Sequence, residues 1–173
     1  MKSTPEEEWF PVVDEDGNTI GKALRSECHN GKSMLLHPVV HLHLFNKNGE
    51  LYLQKRASTK DIQPGKWDTS VGGHIDPGES VDEALRREAG EELGLKDFDP
   101  VYRGRYIWES SRERELVSSF STVADAIPEI NNEEIDDGRF WTVKEITEGL
   151  GHEIFTPNFE NEFIKILNYE SQR

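Results

Sequence analysis

Alternating apolar and polar residues mark the strands that the chain is predicted to form. The alternation is clearest in LHLF at 42–45 and LYLQ at 51–54, and a period of two is typical of a half-buried strand. Clusters of glycine, asparagine and charged residues separate such segments and favour turns. The predicted pairs are 9–13 with 19–22 around the turn at 14–18, 37–45 with 51–56 around the turn at 46–49, and 101–108 with 116–123 around the charged loop 109–115; a short strand is predicted at 139–143.

Helical signals replace this alternation in two segments. Ser80 and Glu83 form the Ser-x-x-Glu pattern of a capping box, which satisfies free N–H groups at a helix start, and Gly94 is well placed to end that helix. A helix is therefore predicted from about residue 81 to residue 93. Thr156 as N-cap and Pro157 at the first helical position predict a second helix. Its apolar face is formed by Phe159, Phe163, Ile166 and Leu167.

The order of these elements predicts a mixed β-sheet with flanking helices, that is, an α/β (α+β) fold. The 173 residues contain no internal repeat and no low-complexity linker, and their number suits one domain with a substantial core. We therefore expect a single domain over residues 1–173, with the N-terminal hairpin as an extension over about residues 1–35.

The first predicted helix carries a row of acids where an apolar face is expected. Glu88, Glu91 and Glu92 are spaced i, i+3 and i+4 and therefore share one face. That face begins as an apolar stripe of Val81, Ala84 and Leu85. Like charges at i and i+4 repel each other, so the acids need a compensating charge. Mg²⁺ or Mn²⁺ would supply it, because hard divalent cations prefer oxygen ligands.

Composition restricts the classes of partner. With 34 acidic and 20 basic residues the net charge is -14, which argues against a nucleic-acid polymer. A small phosphorylated substrate fits, because a bound metal reverses the local charge. Cys28 is the single cysteine, so no disulfide framework is expected, and its side chain is predicted to be semi-buried. The sequence shows no secretory signal pattern and no apolar run of membrane-spanning length, which predicts a cytoplasmic protein without a membrane partner; a homodimer is left open.

Residues 73–95 resemble the Nudix box, Gly-x5-Glu-x7-Arg-Glu-U-x-Glu-Glu-x-Gly-U, in which U is aliphatic. The pattern is matched by Gly73, Glu79, Arg87, Glu88, Glu91, Glu92, Gly94 and Leu95. Ala89 fills the first U position with a small side chain. The resemblance implies the Nudix fold, an α/β/α sandwich in which the box forms a strand-loop-helix unit.

The resemblance also implies a Mg²⁺- or Mn²⁺-dependent hydrolase that cleaves a diphosphate linkage in a nucleoside diphosphate joined to another group. The implied metal ligands are Glu88, Glu91, Glu92 and the carbonyl of Gly72, with Glu79 as an outer or auxiliary ligand. The metal would neutralise phosphate charge and orient the substrate for in-line attack, with a carboxylate as general base. Arg87 lies four residues from both Glu83 and Glu91, so it is expected to pair with either and to orient the acids.

Further candidates lie outside the box. Arg56, preceded by Lys55, ends a strand that leads toward the glycine turn, and a guanidinium suits bidentate phosphate contact; an exposed strand end is the alternative. Glu134, beside Glu133, resembles the distal acid that many Nudix enzymes use as an additional ligand or base, and a solvated acidic loop is the alternative. Three aromatic residues are expected either in the core or stacked on a substrate base: Trp67, Tyr106 and Trp108.

A finer resemblance covers nearly the whole chain, to the branch of the superfamily that contains isopentenyl-diphosphate isomerase. It is carried by VVDEDGN at 12–18, LHPVVHLHLFNKNGELYLQKRA at 36–57 and PGKWDTSVGGHIDPGES at 64–80. Isomerases of this branch have a catalytic cysteine where this chain has Gly72, and they degrade the Arg-Glu-U-x-Glu-Glu core that this chain keeps. A hydrolase of the branch is therefore expected, with isomerase activity and a catalytically silent binding module as alternatives.

Histidines complete the set of candidates. Isomerases of the branch build a metal site from histidines at positions that resemble His29, His37 and His74. Without the cysteine, we expect His37 to pack near the strand at 37–45 and His74 to line the cleft, and a metal site formed by the three histidines is an open alternative. His41 and His43 are expected at half-exposed positions on one strand face.

Overall fold

The computed structural model describes residues 7–60, 62–125, 128–129 and 135–167. In these ranges the elements are, in chain order, β1 (Trp9–Val13), β2 (Thr19–Leu24), α1 (Arg25–Cys28), β3 (Leu36–Phe45), β4 (Leu51–Arg56), β5 (Trp67–Asp68), β6 (Val71–His74), α2 (Val81–Leu93), β7 (Val101–Glu109), β8 (Arg114–Val123), β9 (Ile135–Trp141), α3 (Val143–Gly149) and α4 (Pro157–Lys165). None of these helices is both long enough and apolar enough to cross a membrane.

Strand β3 lies at the centre of the larger sheet. β8 runs parallel to it along its full length, from Leu36 beside Arg114 to Phe45 beside Val123. β6 pairs antiparallel with the middle of β3, and β7 pairs antiparallel with β8. β4 has β5 and β9 as its own antiparallel neighbours. The sheet is therefore mixed and contains seven strands in the part of the chain that the structure describes.

The predicted strands are present, but one predicted pairing extends over fewer residues than expected. The hairpin of β1 and β2 and the pair of β7 and β8 are confirmed. β3 and β4, in contrast, are paired only at Phe45 and Leu51, beside the turn that joins them. Beyond the turn the two strands separate, and β3 takes β6 and β8 as partners. Nearly all residues of β3 are buried, which is typical of a central strand covered on both faces.

Helices cover both faces of the sheet. Val40, Leu42 and Leu44 of β3 pack in one apolar layer with the buried residues of α2. Phe45 belongs to a second layer, which it shares with Phe159 of α4 and the buried part of α3. Each fully buried aliphatic or aromatic side chain contributes about 1.5–3 kcal/mol relative to an exposed one, so the two layers hold the helices against the sheet. The predicted α/β/α sandwich is confirmed.

Helix α2 begins and ends where the sequence predicts. The Ser80 hydroxyl accepts a hydrogen bond from the backbone N–H of Glu83, and the Glu83 carboxylate accepts one from the backbone N–H of Ser80. Gly94 follows the helix in the left-handed conformation, with φ of 67°. Ala84 is fully buried, whereas Val81 is 37% exposed, so the apolar stripe starts one turn later than predicted.

The C-terminal helices differ in how well they were predicted. Val143 is the first residue of α3, so the strand predicted over 139–143 extends too far. The reason is a second capping box, formed by Thr142 and Glu145, which starts a helix directly after β9. α4 begins at Pro157 behind the Thr156 N-cap, as predicted.

Candidate active-site cleft

A cleft of about 1020 Å³ opens between α2, the middle of the sheet and the start of α4. Two groups of titratable side chains meet there. The first, named here the acidic wall, consists of Asp76, Glu79, Arg87, Glu88, Glu91 and Glu92. The second, named here the histidine cluster, consists of His29, His37, His74, Glu113 and Glu115.

Two glycines of β6 let side chains approach this strand from both faces. A Cβ atom on Gly73 would lie 2.2 Å from Cδ of Glu88, so Glu88 can lie against the strand only because residue 73 has no side chain. On the other face, a Cβ atom on Gly72 would lie 3.4 Å from Cδ2 of His41. The box therefore requires glycine at position 73, because a side chain there would clash with Glu88.

Arg87 connects the acids of the wall. Its Nε and Nη2 donate to the two carboxylate oxygens of Glu79 at 2.8 and 2.9 Å, and its Nη1 donates to Oε1 of Glu88 at 2.8 Å. Nη1 also lies 3.4 Å from Oε2 of Glu91. The expected pair with Glu91 is thus present, whereas Glu83 serves the capping box. Arg87 occupies both oxygens of Glu79 and lowers its pKa, so Glu79 supports Arg87 rather than facing the cleft.

Glu88 and Glu92 lie in a poorly solvated part of the wall. Burial raises the pKa of Glu92 well above its ordinary value, the charge of Glu88 adds to this, and the backbone N–H of Gly72 opposes it. Burial also raises the pKa of Glu88, against the opposing effect of Arg87. Oε2 of Glu92 is buried and has no hydrogen-bond partner in the described part of the chain. A carboxylate in such a place requires a cation to be stable in its charged form.

The three glutamates of the box face one cleft but are not drawn together. Glu91 exposes 61% of its side chain, and both Glu88 and Glu91 contact Arg87. Within the described ranges, the groups of three or more acids and histidines whose ligand atoms all lie within 4.8 Å of one another belong to the histidine cluster. Like charges on one helix face repel each other, and a divalent ion would have to overcome that repulsion to bring the glutamates together. Carboxylates with a backbone carbonyl nearby are a donor set that fits Mg²⁺ or Mn²⁺.

The histidine cluster is assembled from α1 and its flanks, β3, β6 and the start of β8. Ligand atoms of His29, His37 and His74 lie within 4.8 Å of one another, and the same holds for His37, Glu113 and Glu115. Oε2 of Glu113 lies 2.7 Å from Nε2 of His29 and 3.7 Å from Nε2 of His37. The three histidines, for which separate roles were expected, share one centre. Their arrangement therefore strengthens the metal-site alternative.

Burial sets the protonation of this cluster. It lowers the pKa of His37 and lowers that of His74 well below the ordinary value. Nε2 of each of these two rings is buried without a hydrogen-bond partner among the described residues. Burial, followed by the charge of Glu113, raises the pKa of Glu115 to about 8. Neutral imidazoles with a free ring nitrogen are the form that binds metal.

His41 and His43 are buried, so the prediction of half-exposed positions is wrong. The reason is Glu162, a completely buried carboxylate on α4. Nδ1 of His41 lies 2.6 Å from Oε2 of Glu162, and Nε2 of His43 lies 2.9 Å from Oε1. The Tyr106 hydroxyl donates to Oε2 at 3.0 Å. Burial by itself would lower the pKa of His41, but the charge and hydrogen bond of Glu162 outweigh it and raise the pKa to about 9.

Of the two predicted substrate-binding residues, one lines the cleft and the other does not. Arg56 lines the cleft, with Nη1 3.6 Å from Oδ2 of Asp68, whereas Lys55 is not among the lining residues. Lys60 also lines the cleft, although the sequence pattern did not single it out. Glu134 lies outside the described residues.

The three aromatic candidates and Cys28 lie in different parts of the structure. Trp67 packs edge-on against Trp141 in the second apolar layer. Tyr106 is held by Glu162, so among the three candidates Trp108 is the one that lines the cleft. Cys28 is completely buried rather than semi-buried, and burial raises its pKa to about 11.

Besides the lining residues Lys60, Asp68 and Asp76, the sequence patterns missed three acids: Glu113, Glu115 and Glu162. Glu162 carried a usable signal, because it lies at i+3 from Phe159 and directly precedes Phe163 on the apolar face of a predicted helix. A charged residue on a buried face is rare unless it is paired. Glu113 and Glu115 carried none, because they lie in a charged segment that reads as a solvated loop and strand start.

Comparison with known proteins agrees with this geometry. A NUDIX domain is matched over residues 35–159. An uncharacterized Nudix hydrolase of Yersinia pestis is 32% identical over 151 residues, which cover 87% of this chain and 81% of that protein. Isopentenyl-diphosphate Delta-isomerase 1 of Photorhabdus laumondii is 31% identical over 165 residues, with coverage of 90% and 93%. The crystal structure of DR0079 from Deinococcus radiodurans has a TM-score of 0.78 at 24% identity and covers 92% of this chain and 99% of its own.

The sandwich fold, the box helix and these matches define a Nudix protein, and the chain belongs to the Nudix hydrolase family. It is a Nudix pyrophosphohydrolase whose relatives include an isomerase, which agrees with the isomerase-like branch that its sequence resembles.

Proposed function

We propose that the protein hydrolyses a diphosphate linkage in a small nucleoside diphosphate-type substrate, and that the reaction depends on Mg²⁺ or Mn²⁺. The observation that carries the proposal is the buried Oε2 of Glu92, which has no hydrogen-bond partner among the described residues and shares a cleft with Glu88 and Glu91. These acids repel one another and lie partly out of water, an arrangement that costs stability unless a cation binds.

The residues of the acidic wall would have different roles in the reaction. Glu88, Glu91 and Glu92, with the carbonyl of Gly72, would hold the metal. Bound there, Mg²⁺ or Mn²⁺ would neutralise phosphate charge and help to polarise the bond that is cleaved. One of the carboxylates would accept the proton of the attacking water. Arg87 would keep the acids oriented through its contact with Glu79, and Arg56 would meet phosphate oxygens from the opposite side of the cleft.

A turnover assay tests this proposal. Purified protein would be incubated with nucleoside diphosphate sugars, dinucleotides, nucleoside triphosphates and prenyl diphosphates, with Mg²⁺ and with a chelator, and products would be separated by chromatography. The expected result is Mg²⁺-dependent cleavage of at least one nucleoside diphosphate derivative, which Glu92→Gln removes. Absence of turnover on the whole panel would instead support the silent binding module.

The isomerase alternative is disfavoured by Gly72, which offers no titratable group at the position of the isomerase cysteine. Cys28 does not replace it, because its side chain is completely buried. Incubation with isopentenyl diphosphate and Mg²⁺ is therefore expected to yield no dimethylallyl diphosphate. Appreciable isomer formation would contradict the hydrolase proposal.

A second candidate function is metal binding by the histidine cluster. The supporting observation is that Nε2 of His37 and Nε2 of His74 are buried and make no hydrogen bond within the described ranges, while ligand atoms of His37 also lie near those of Glu113 and Glu115. Mixed imidazole and carboxylate ligands suit a divalent transition metal. Elemental analysis after dialysis against such a metal should show fewer equivalents in His74→Gln than in wild type. His152→Gln, which alters an exposed histidine, is the matched control.

A further inference from the structure

The inner end of the cleft is a cavity of about 120 Å³, a size that suits one phosphoryl group. Glu92 is the single residue of the Nudix signature among the described residues that line it. Three side chains that can carry positive charge also line it, namely His41, Arg56 and Lys60. The cavity is also lined by two acids, Asp68 and Glu92, so an anionic group bound here would need both these cationic side chains and a metal ion near Glu92.

His41 is the most deeply buried of these cationic side chains. Its residue is 9% exposed, and its Nδ1 is fixed by Oε2 of Glu162 at 2.6 Å. Glu162 is itself fixed by His43 and by the Tyr106 hydroxyl. The opposite edge of the His41 ring, with Cδ2 and Nε2, lies beside Gly72, where a Cβ atom would be 3.4 and 3.5 Å away. Glycine at position 72 therefore leaves that edge of the ring open toward the cavity.

The buried carboxylate gives His41 a chemical role beyond packing. An isolated buried carboxylate is strongly unfavourable, and it is stabilised by a positive partner and by hydrogen bonds. Nδ1 of His41 must carry a proton to donate to Glu162. Because Nδ1 is engaged by Glu162, Nε2 is the ring nitrogen that remains to contact a ligand in the cavity.

We infer that the inner cavity is a subsite for one phosphoryl group of the substrate, and that Nε2–H of His41 donates a hydrogen bond to an oxygen of that group. Glu162 is a positioning residue that acts through His41. The inference rests on the proposed function for the substrate class, since it assumes a diphosphate, but it does not depend on which bond is cleaved. Such a fixed donor lowers the energy of a more highly charged transition state without reorganisation at the moment of reaction.

His43 offers a matched control. It lies on the same strand face as His41 and contacts the same carboxylate at 2.9 Å, but it is completely buried and does not line the cleft. His43→Gln disturbs the Glu162 network without changing the cavity. An effect of His41→Gln that His43→Gln does not share is therefore an effect on the subsite, not on packing.

The test measures binding of methylenediphosphonate, a diphosphate that cannot be hydrolysed, by calorimetry in the presence of Mg²⁺. His41→Gln should weaken binding about ten- to a hundredfold, as expected for loss of a hydrogen bond to a charged group, and Glu162→Gln should weaken it less. His43→Gln should remain within about twofold of wild type, even if its melting temperature falls. Equal affinity of wild type and His41→Gln, equal losses in both histidine variants, or no binding by wild type would overturn the inference.

A measurement on the wild type keeps the test independent of folding defects. In ¹⁵N-labelled protein, methylenediphosphonate should shift the Nε2 resonance of His41 and leave the ring resonances of His43 in place. An unchanged His41 resonance at saturation would reject the contact. If this shift occurs but no substrate of the turnover panel is cleaved, the subsite stands and the proposed hydrolysis fails; cleavage without the shift gives the reverse outcome.

Discussion

The acidic wall and the histidine cluster face the same cleft but are built in opposite ways. The wall comes from one segment of 23 residues in which helix geometry alone places Glu88, Glu91 and Glu92 on one face. The cluster comes from four segments that only the folded sheet brings together. In the wall Glu88 and Glu91 stay apart and share Arg87, whereas in the cluster two groups of three ligand atoms, which have His37 in common, already lie within 4.8 Å of one another.

A site can therefore be easy to recognise in the sequence although its ligand atoms are not yet assembled in the structure. A motif is recognisable when its residues are close together in the sequence. Its side chains can nevertheless lie apart until a ligand binds. A site made from distant segments leaves little trace in any one of them, yet the rigid sheet can hold its atoms at binding distance. The two groups should therefore respond differently to mutation, to metal ions and to pH.

The largest expected effect is on turnover. Glu92→Gln should lower the Mg²⁺-dependent rate by ~10²–10⁴-fold, the range for loss of a general base, and loss of a metal ligand acts in the same direction. Glu91→Gln should behave similarly, whereas His29→Gln in the histidine cluster should cost less. Rates would be measured on the best substrate of the panel. Wild-type rates in both glutamate variants would mean that the wall is not the catalytic centre.

The next effect tests the steric role of the glycines in β6. Gly73→Ala places a methyl group where Cδ of Glu88 would be 2.2 Å away, so Glu88 must swing aside. A displacement of about 1 Å costs on the order of 10²-fold in rate, and a loss of this size is expected here with little change in melting temperature. Gly72→Ala, with its nearest contact at 3.4 Å, should lose less. Equal losses would show that the approach of Glu88 is not what the glycine permits.

Stabilisation of the folded protein by Mg²⁺ should depend on the acidic wall and not on the histidine cluster. A ligand that binds only the folded state stabilises by about 2.7 kcal/mol at a hundredfold excess over its dissociation constant. Mg²⁺ should therefore raise the melting temperature of wild type and of His74→Gln, but much less that of Glu88→Gln. Thermal unfolding of the three proteins at several Mg²⁺ concentrations checks this. Identical shifts in all three would place the ion elsewhere.

The smallest effect is on the metal-free protein and depends on pH. Because burial raises the folded-state pKa of Glu92 above its unfolded value, the stability that its protonated form contributes is lost as pH rises through the folded pKa. Glu92→Gln resembles the protonated form. With a chelator present, the variant should be more stable than wild type at pH 8, and the difference should shrink toward pH 4.5. Urea unfolding at both pH values measures it; a variant that is less stable at pH 8 would contradict the burial argument.

Much of the fold followed from local patterns, and the errors have identifiable causes. The strand β4, the limits of α2 and the start of α4 were predicted because alternation, capping boxes and Pro157 act over a few residues. The hairpin of β3 and β4 is paired only beside its turn because a turn fixes only the residues next to it, whereas the partners of a long central strand are chosen by packing. The exposure of His41 was misjudged because its partner, Glu162, lies on a distant helix.

The class of protein and the acidic face of α2 could be predicted from the sequence alone. Helical periodicity converts the spacing of Glu88, Glu91 and Glu92 directly into a shared face, so no tertiary information was needed. The tertiary structure decided which side chains surround that wall. It brought Glu113 to His29, buried Glu162 between His41 and His43, and opened the inner cavity beside Gly72. These contacts join residues far apart in the chain, and their geometry is fixed by the packing of the sheet and helices, which no local spacing encodes.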